Sequence, residues 1–156
     1  CLFKLSMLDE RIGGPNIYVE IDESYFFKRK YNVGRMLGSS WVFGAVERGN
    51  IQNAIMIVVP DRRRETLLPI ITRHISPGSI IVSDQWASYN ELGLMDYTHL
   101  TVCHKENFVN PQNPLAHTQT IENLWRWAKQ RVKTTSTDVD LKILRMAEFL
   151  YRRKYR

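Results

Sequence analysis

Cysteine, histidine and long apolar runs are scarce in this chain, and each scarcity excludes a class of protein. Only two of the 156 residues are Cys and four are His, with no CxxC pair, so neither a disulfide framework nor a structural zinc site is expected. The longest apolar runs, such as residues 51–60, contain polar side chains and fall short of the roughly 20 residues that span a bilayer. No secretory signal is visible. We therefore expect an intracellular protein without membrane contact, in the nucleus of a eukaryote or the cytoplasm and nucleoid of a bacterium.

Positive charge is in excess. The chain has 22 Lys and Arg residues against 16 Asp and Glu, a formal charge of +6. The basic residues form four clusters, at residues 28–30, 62–64, 129–133 and 152–156. A solvated surface would explain any one of them, but four together favour a polyanionic partner such as nucleic acid. The triplet at 62–64 opens a predicted helix, where the helix dipole disfavours cations, and this favours a role beyond solubility.

The order of the predicted elements indicates the fold class. Residues 1–16, with Gly13-Gly14-Pro15, are predicted as a tail or connector, and residues 17–156 as one domain of a longer protein, since the chain does not begin with Met. The predicted strands are 17–24, 39–47, 53–59, 79–82 and 98–103. The predicted helices are 64–74, 85–94, 118–132 and 141–154, with a loop at 106–115.

This succession predicts an α/β protein of the ribonuclease-H-like fold, a mixed five-stranded sheet flanked by helices, with a C-terminal helix. A doubly wound nucleotide-binding fold would place a Gly-rich turn after its first strand. Residues 23–27 are Glu-Ser-Tyr-Phe-Phe instead, so the first interpretation is preferred.

Three acidic residues lie where a phosphoryl-transfer enzyme places carboxylates. Asp22 and Asp84 close two strand-like runs, and Glu122 lies in the first turns of a predicted helix. Each alone has a simpler explanation, since Asp is common in turns and the helix dipole favours Glu near an N-terminus. In the fold proposed, the first and fourth strands are neighbours, so the three acids are expected to converge.

Carboxylates gathered in this way suit hard divalent cations. Mg²⁺ or Mn²⁺ takes oxygen ligands, and two such ions can activate the attacking water or hydroxyl and stabilise the leaving oxygen of a phosphodiester. We therefore expect Asp22, Asp84 and Glu122 to hold two ions. Lys129 follows Glu122 by seven residues, about two helical turns, and so shares its face. An ion pair between Glu122 and Arg126 at i, i+4 is the alternative use of this helix face.

Five blocks of sequence resemble a known family when taken in order. They are Val19-Glu-Ile-Asp22-Glu-Ser, residues 28–35, Trp41-Val-Phe-Gly44, Ser83-Asp84-Gln-Trp-Ala-Ser-Tyr89, and the block from His117 to Trp125 with Lys129. Together they resemble the transposase domain of the Merlin superfamily and its bacterial ISXO-type insertion-sequence relatives. The resemblance implies a DDE-type recombinase with Asp22, Asp84 and Glu122 as its triad and Lys129 as the accompanying basic residue. Some bacterial relatives carry Asn or His in place of the last acid.

Further residues are predicted to contact DNA, each with a structural alternative. Trp86 and Tyr89 could stack on an unpaired base or pack against the sheet, and His117 could contact the scissile phosphate or serve as a helix-cap residue. The remaining predicted contacts are Lys28, Arg29, Lys30, Arg35 and Arg126.

The function expected from these observations is that of a DNA transposase catalytic domain, which cuts at the terminal inverted repeats and joins the ends to target DNA. Because two ends must be held together, we expect a homodimer or a larger synaptic oligomer. Two alternatives remain: a domesticated copy that binds DNA or protein without cleavage, and another ribonuclease-H-like nuclease.

Overall fold

A five-stranded mixed sheet forms the centre of the molecule. The computed structural model describes residues 10–26, 41–102, 109–110, 113–132 and 139–155. Its strands are β1 (Tyr18–Tyr25), β2 (Trp41–Glu47), β3 (Ala54–Val59), β4 (Ile80–Asp84) and β5 (Thr98–Val102). They lie in the order β3-β2-β1-β4-β5, with β1 antiparallel to β2 and parallel to β4. The predicted α/β class, the mixed five-stranded sheet and the placement of the first strand beside the fourth are confirmed.

Helices cover both faces of this sheet. Helix α1 (Arg64–His74) buries Leu67 and Ile71 on one face. Helices α2 (Gln119–Val132) and α3 (Val139–Tyr155) pack on the other. One face of α2 is apolar and buried, at Ile121, Leu124, Trp125, Ala128 and Val132. No helix in the described part of the chain is long and apolar enough to cross a membrane.

Two predicted elements were wrong. The predicted helix at 85–94 is a pair of single 3₁₀ turns, Ala87–Tyr89 and Leu92–Leu94, because Gly93 and the residues around it do not sustain a longer helix. The predicted loop at 106–115 contains a two-stranded hairpin of β6 (Val109–Asn110) and β7 (Asn113–His117). Pro114 lacks an N–H group, but a strand outside the interior of a sheet tolerates this.

The described residues directly before β1 are bound to the core. Ile12 is buried and forms a parallel bridge to Ile75, and the Gly14 amide donates to Ser79 Oγ at 2.9 Å. Gly13 has φ +80°, and a Cβ atom there would lie 2.4 Å from Ser79 Oγ. Only glycine fits this position without strain.

Candidate active site

Asp22 and Asp84 lie at the same level on two adjacent parallel strands. The last paired residues of β1 and β4 are Glu20 and Val82, and each aspartate lies two residues beyond its strand's member of that pair. Because side chains alternate along a strand, both aspartates are on the sheet face of Glu20 and Val82. This is the face covered by α2, since Trp125 Nε1 donates to Asp22 Oδ2 at 3.0 Å. The expected neighbourhood of the two strand ends is present.

A glycine allows α2 to approach Asp22. Gly44 of β2 lies opposite Asp22 in the antiparallel register, and a Cβ atom there would come within 2.4 Å of the Trp125 ring. The indole therefore occupies the space that a side chain on β2 would fill. Its N–H group reaches Asp22 from that position.

Glu122 lies at the exposed edge of α2. The Thr118 hydroxyl donates to its Oε1 at 3.1 Å. The structure shows no ion pair between Glu122 and Arg126, which is also exposed. Lys129 is exposed and its Nζ lies 5.5 Å from the centre of the Phe26 ring. Glu122 and Lys129 thus remain accessible to a ligand.

The start of α2 is held by Glu20, a residue that the sequence analysis did not single out. Its side chain is fully buried and pairs with Arg48 at 2.9 Å. Glu20 Oε2 accepts the Ile121 amide at 2.8 Å, so the carboxylate satisfies one of the unpaired N–H groups that open a helix. Arg48 also donates to the carbonyl oxygens of Leu115 and His117. Glu20 and Arg48 together bind β1, β7 and α2 into one unit.

His117 belongs to this same unit. Its Nδ1 atom lies 3.3 Å from Glu20 Oε1, without the geometry of a hydrogen bond. The ring is about one-fifth exposed. The structure therefore places His117 at the junction between β7 and α2, partly accessible from solvent.

A second buried carboxylate, Glu23, lies on the opposite face of β1. Its side chain is inaccessible, and an Arg62 nitrogen lies 3.8 Å from its Oε2 atom. Neither Glu23 oxygen has a hydrogen-bond partner of good geometry among the described residues, nor has the hydroxyl of the neighbouring Tyr89. Burial raises the pKa of Glu23 to about 7; Tyr89 and Arg62 oppose the rise, and the charges of Asp22 and Asp84 add to it. Because the charges of Asp22 and Asp84 both raise the pKa of Glu23, negative charge is concentrated where β1 and β4 end.

Arg62 connects this cluster with the segment that follows Asp84. Its guanidinium carbon lies 4.5 Å from the Trp41 ring centre and 4.2 Å from that of Trp86. Its carbonyl oxygen accepts hydrogen bonds from Trp86 Nε1 and Ser88 Oγ. The basic triplet that opens α1 thus supplies a cation that packs on two indoles, which gives this part of the triplet a role other than solubility.

The two aromatic residues predicted to contact DNA differ in exposure. Trp86 is 38% exposed, and its backbone amide donates to Asp84 Oδ1 at 3.1 Å. Tyr89 is fully buried, so in this structure its ring offers no face to a base. Four other predicted contacts, Lys28, Arg29, Lys30 and Arg35, lie outside the described residues.

The three acids suit a divalent cation in type, but in this structure they are not gathered into a metal site. Carboxylate oxygens are the ligands that Mg²⁺ prefers, and Asp22 and Asp84 share one face with the helix that carries Glu122. Within the described ranges, however, no group of three or more His, Cys, Asp or Glu side chains could hold an ion as they stand. The two aspartates are fixed by the sheet, and Glu122 is the member whose side chain is exposed.

The chain is similar in sequence to known proteins over most of its length. Residues 11–154 match the family model described as the ISXO2-like transposase domain. The chain is also 32% identical over 77 residues to a Haemophilus influenzae protein described as an uncharacterized transposase-like protein, an alignment that covers 49% of this chain and 60% of that relative. The matched segment of the family model includes both strands that carry the aspartates and the whole of α2. The chain therefore belongs to the ISXO2-like transposase domain family.

Proposed function

We propose that this chain is the catalytic domain of a DNA transposase of the DDE type, with a ribonuclease-H-like fold and with Asp22, Asp84 and Glu122 as its acidic triad. The observation that carries the proposal is the level placement of Asp22 and Asp84 on adjacent parallel strands, beneath the helix that bears Glu122. Membership of a transposase family supports it. The substrates would be the terminal repeats of a mobile element and the target DNA.

Two divalent cations, when bound, would supply an activated nucleophile and neutralise charge on the phosphate. The residues of the chain have separate tasks. Trp125 orients Asp22 through its N–H group, and Glu20 anchors the start of the helix that carries Glu122. We propose that Glu122 is the adjustable member of the triad, because its side chain is exposed and bound by a hydroxyl rather than by a buried cation.

Lys129 and Trp86 are proposed to contact the DNA. Lys129 is an exposed cation on the helix of Glu122, and Trp86 is a partly exposed indole two residues after Asp84. Aromatic faces bind bases without regard to sequence, and a nearby cation adds affinity for phosphate. These two residues would therefore guide a DNA strand across the acidic edge, the end of β1 and β4 where Asp22 and Asp84 lie.

The test is the replacement of each aspartate by asparagine. Asp22→Asn and Asp84→Asn are expected to abolish Mn²⁺-dependent cleavage of a duplex carrying the terminal repeats while DNA affinity in EDTA is retained. Asp96→Asn is the matched control, because Asp96 is exposed and its φ of 59° is tolerated by asparagine. Unchanged cleavage in either aspartate variant would contradict the assignment.

Metal binding provides a readout that does not require activity. A cation bound only by the folded chain at about 100 times its Kd stabilises it by about 2.7 kcal/mol. Mn²⁺ should therefore raise the Tm of the wild type and of Asp96→Asn, and raise it much less in Asp22→Asn.

A domain that binds DNA without cutting it is the second candidate, and the separation of the acids in this structure favours it. Such a domain would bind the same duplex, show no cleavage as wild type and show no Tm shift with Mn²⁺. A ribonuclease H would instead cut an RNA–DNA hybrid in preference to the duplex.

A further inference from the structure

A basic groove runs between α2 and α3, away from the acidic edge. It is lined by Trp127 and Arg131 of α2 and by Arg145, Glu148, Phe149 and two further arginines of α3. Among the described residues, four guanidinium groups therefore share this groove with a single carboxylate. Like charges brought together repel one another, so such a grouping is stabilised when an anion binds among them.

The groove faces a different direction from the proposed catalytic residues. On a helix of 3.6 residues per turn, Trp127 and Arg131 are four residues apart and share one side. Glu122 and Lys129 are seven residues apart and share another, with the buried stripe of α2 between the two sides. The groove is thus a surface separate from the candidate active site.

Two of the four arginines have hydrogen-bond or ion-pair partners among the described residues, and the other two have none there. Arg152 pairs with Glu148 at 2.7 Å, and Arg153 Nε donates to the Ile51 carbonyl. Arg131 and Arg145 have no hydrogen bond or ion pair within the part of the chain that the structure describes. Arg145 is only half-exposed, and a half-buried guanidinium without a partner is unfavourable unless a ligand compensates it.

Stabilisation of helix ends does not explain the whole set. Cations in the last turn of a helix interact favourably with its dipole, which accounts for Arg131, Arg152 and Arg153. Arg145 is in the middle of α3, where this effect is absent. The indole of Trp127 is 51% exposed beside the guanidinium groups, where it would lose accessible apolar surface when a ligand covers it.

We propose that this groove is a second DNA-binding surface, which holds the sugar-phosphate backbone of the duplex outside the acidic edge. Guanidinium groups bind phosphate through paired N–H donors, and the exposed indole packs on the sugar or on an unpaired base. The proposal concerns DNA binding alone, so it can hold or fail independently of cleavage.

The test measures the affinity of the chain for a short duplex of arbitrary sequence by fluorescence anisotropy, in EDTA, over a series of salt concentrations. The double variant Arg131→Ala/Arg145→Ala is expected to bind about tenfold or more weakly. Each lost phosphate contact lowers the slope of log affinity against log salt by about 0.9, so the double variant should lower it by about 1.8. Trp127→Ala should weaken binding without changing that slope.

Two control variants separate the groove from net charge and from folding. Arg11→Ala/Arg73→Ala removes the same charge from exposed positions outside the groove and should change the slope much less. Arg131→Lys/Arg145→Lys keeps the charge and should retain most of the slope, which shows that the groove is folded. Circular dichroism and Tm confirm that each variant is native.

Equal affinities and slopes for the wild type and the alanine double variant would overturn the proposal, as would a wild type that does not bind the duplex at low salt. Sedimentation analysis adds a further outcome. If the double variant loses self-association while its DNA affinity is unchanged, the groove takes a second copy of the chain and the proposal is wrong. If the wild type binds the duplex through the groove but does not cleave it, the catalytic proposal fails and this one holds.

Discussion

Glu20 and Glu23 are three residues apart on the same strand, and both side chains are inaccessible to solvent, yet their surroundings differ. On the face covered by α2, Glu20 accepts hydrogen bonds from the Arg48 side chain and the Ile121 amide. On the other face, Glu23 has Arg62 at 3.8 Å and no hydrogen bond of good geometry among the described residues.

The difference shows that burial alone does not decide what a carboxylate does. Glu20 has a structural role, because its carboxylate pairs with Arg48 and accepts an amide at the start of α2. Glu23 is held where its charge is costly, and the neighbouring Asp22 and Asp84 raise that cost further. Strand β1, which carries Asp22, therefore has a hydrogen-bonded carboxylate, Glu20, on one face. On the other face it has Glu23, whose pKa is raised by burial.

The largest expected effect comes from Glu20. Glu20→Gln keeps the shape of the side chain but removes the charge that compensates Arg48 and the α2 start. Breaking a buried ion pair costs about 3–5 kcal/mol, and we expect a loss of that order in urea unfolding. Glu65→Gln on α1, where the side chain is 71% exposed, is the matched control and should change stability by less than about 1 kcal/mol. If both variants lost the same free energy of unfolding, Glu20 would contribute no more to stability than an exposed charge does.

The second effect concerns pH and Glu23. The pKa of this group rises from 4.5 to about 7 on folding, so the folded state binds the proton more tightly. Its contribution to stability is present below pH 4.5 and is lost as pH rises through about 7, a change on the order of 3 kcal/mol. Glu23→Gln cannot ionise and should flatten this part of the stability profile, measured by urea unfolding in EDTA. The same slope in both proteins would show that Glu23 is not the group responsible.

The smallest effect is expected at Tyr89, whose buried hydroxyl has no hydrogen-bond partner of good geometry among the described residues. Tyr89→Phe removes that group with little change in packing, so the free energy of unfolding should change by less than about 1 kcal/mol, with either sign. Chemical denaturation at neutral pH measures it. A loss of 2 kcal/mol or more would mean that the hydroxyl satisfies Glu23 after all and that the two sides of β1 are more alike than the structure indicates.

The strands and the two aspartates could be predicted because local signals define them. Runs of β-branched residues mark β1, β3 and β4, and turn residues bound them. The succession of elements then placed β1 beside β4, so the proximity of Asp22 and Asp84 followed from topology without any knowledge of side-chain contacts.

The burial of Glu20 and Glu23 could not be predicted in the same way. Acidic side chains are usually exposed, so their residue type alone does not indicate that helices on both faces of the sheet bury Glu20 and Glu23. Their partners Arg48 and Arg62 are distant in sequence and carry no local mark. A dense group of acids within a central strand is the signal that could have indicated buried ion pairs.

The contacts that assemble the candidate site span long stretches of chain. Trp125 and Asp22 are 103 residues apart, and Ile121 and Glu20 are 101 apart. Closing such loops is slow compared with forming local turns and helices. During synthesis the sheet strands emerge before α2, so a nascent chain carries both aspartates without the helix that bears Glu122. The order of the elements along the polypeptide thereby delays assembly of the candidate site until α2 has been made.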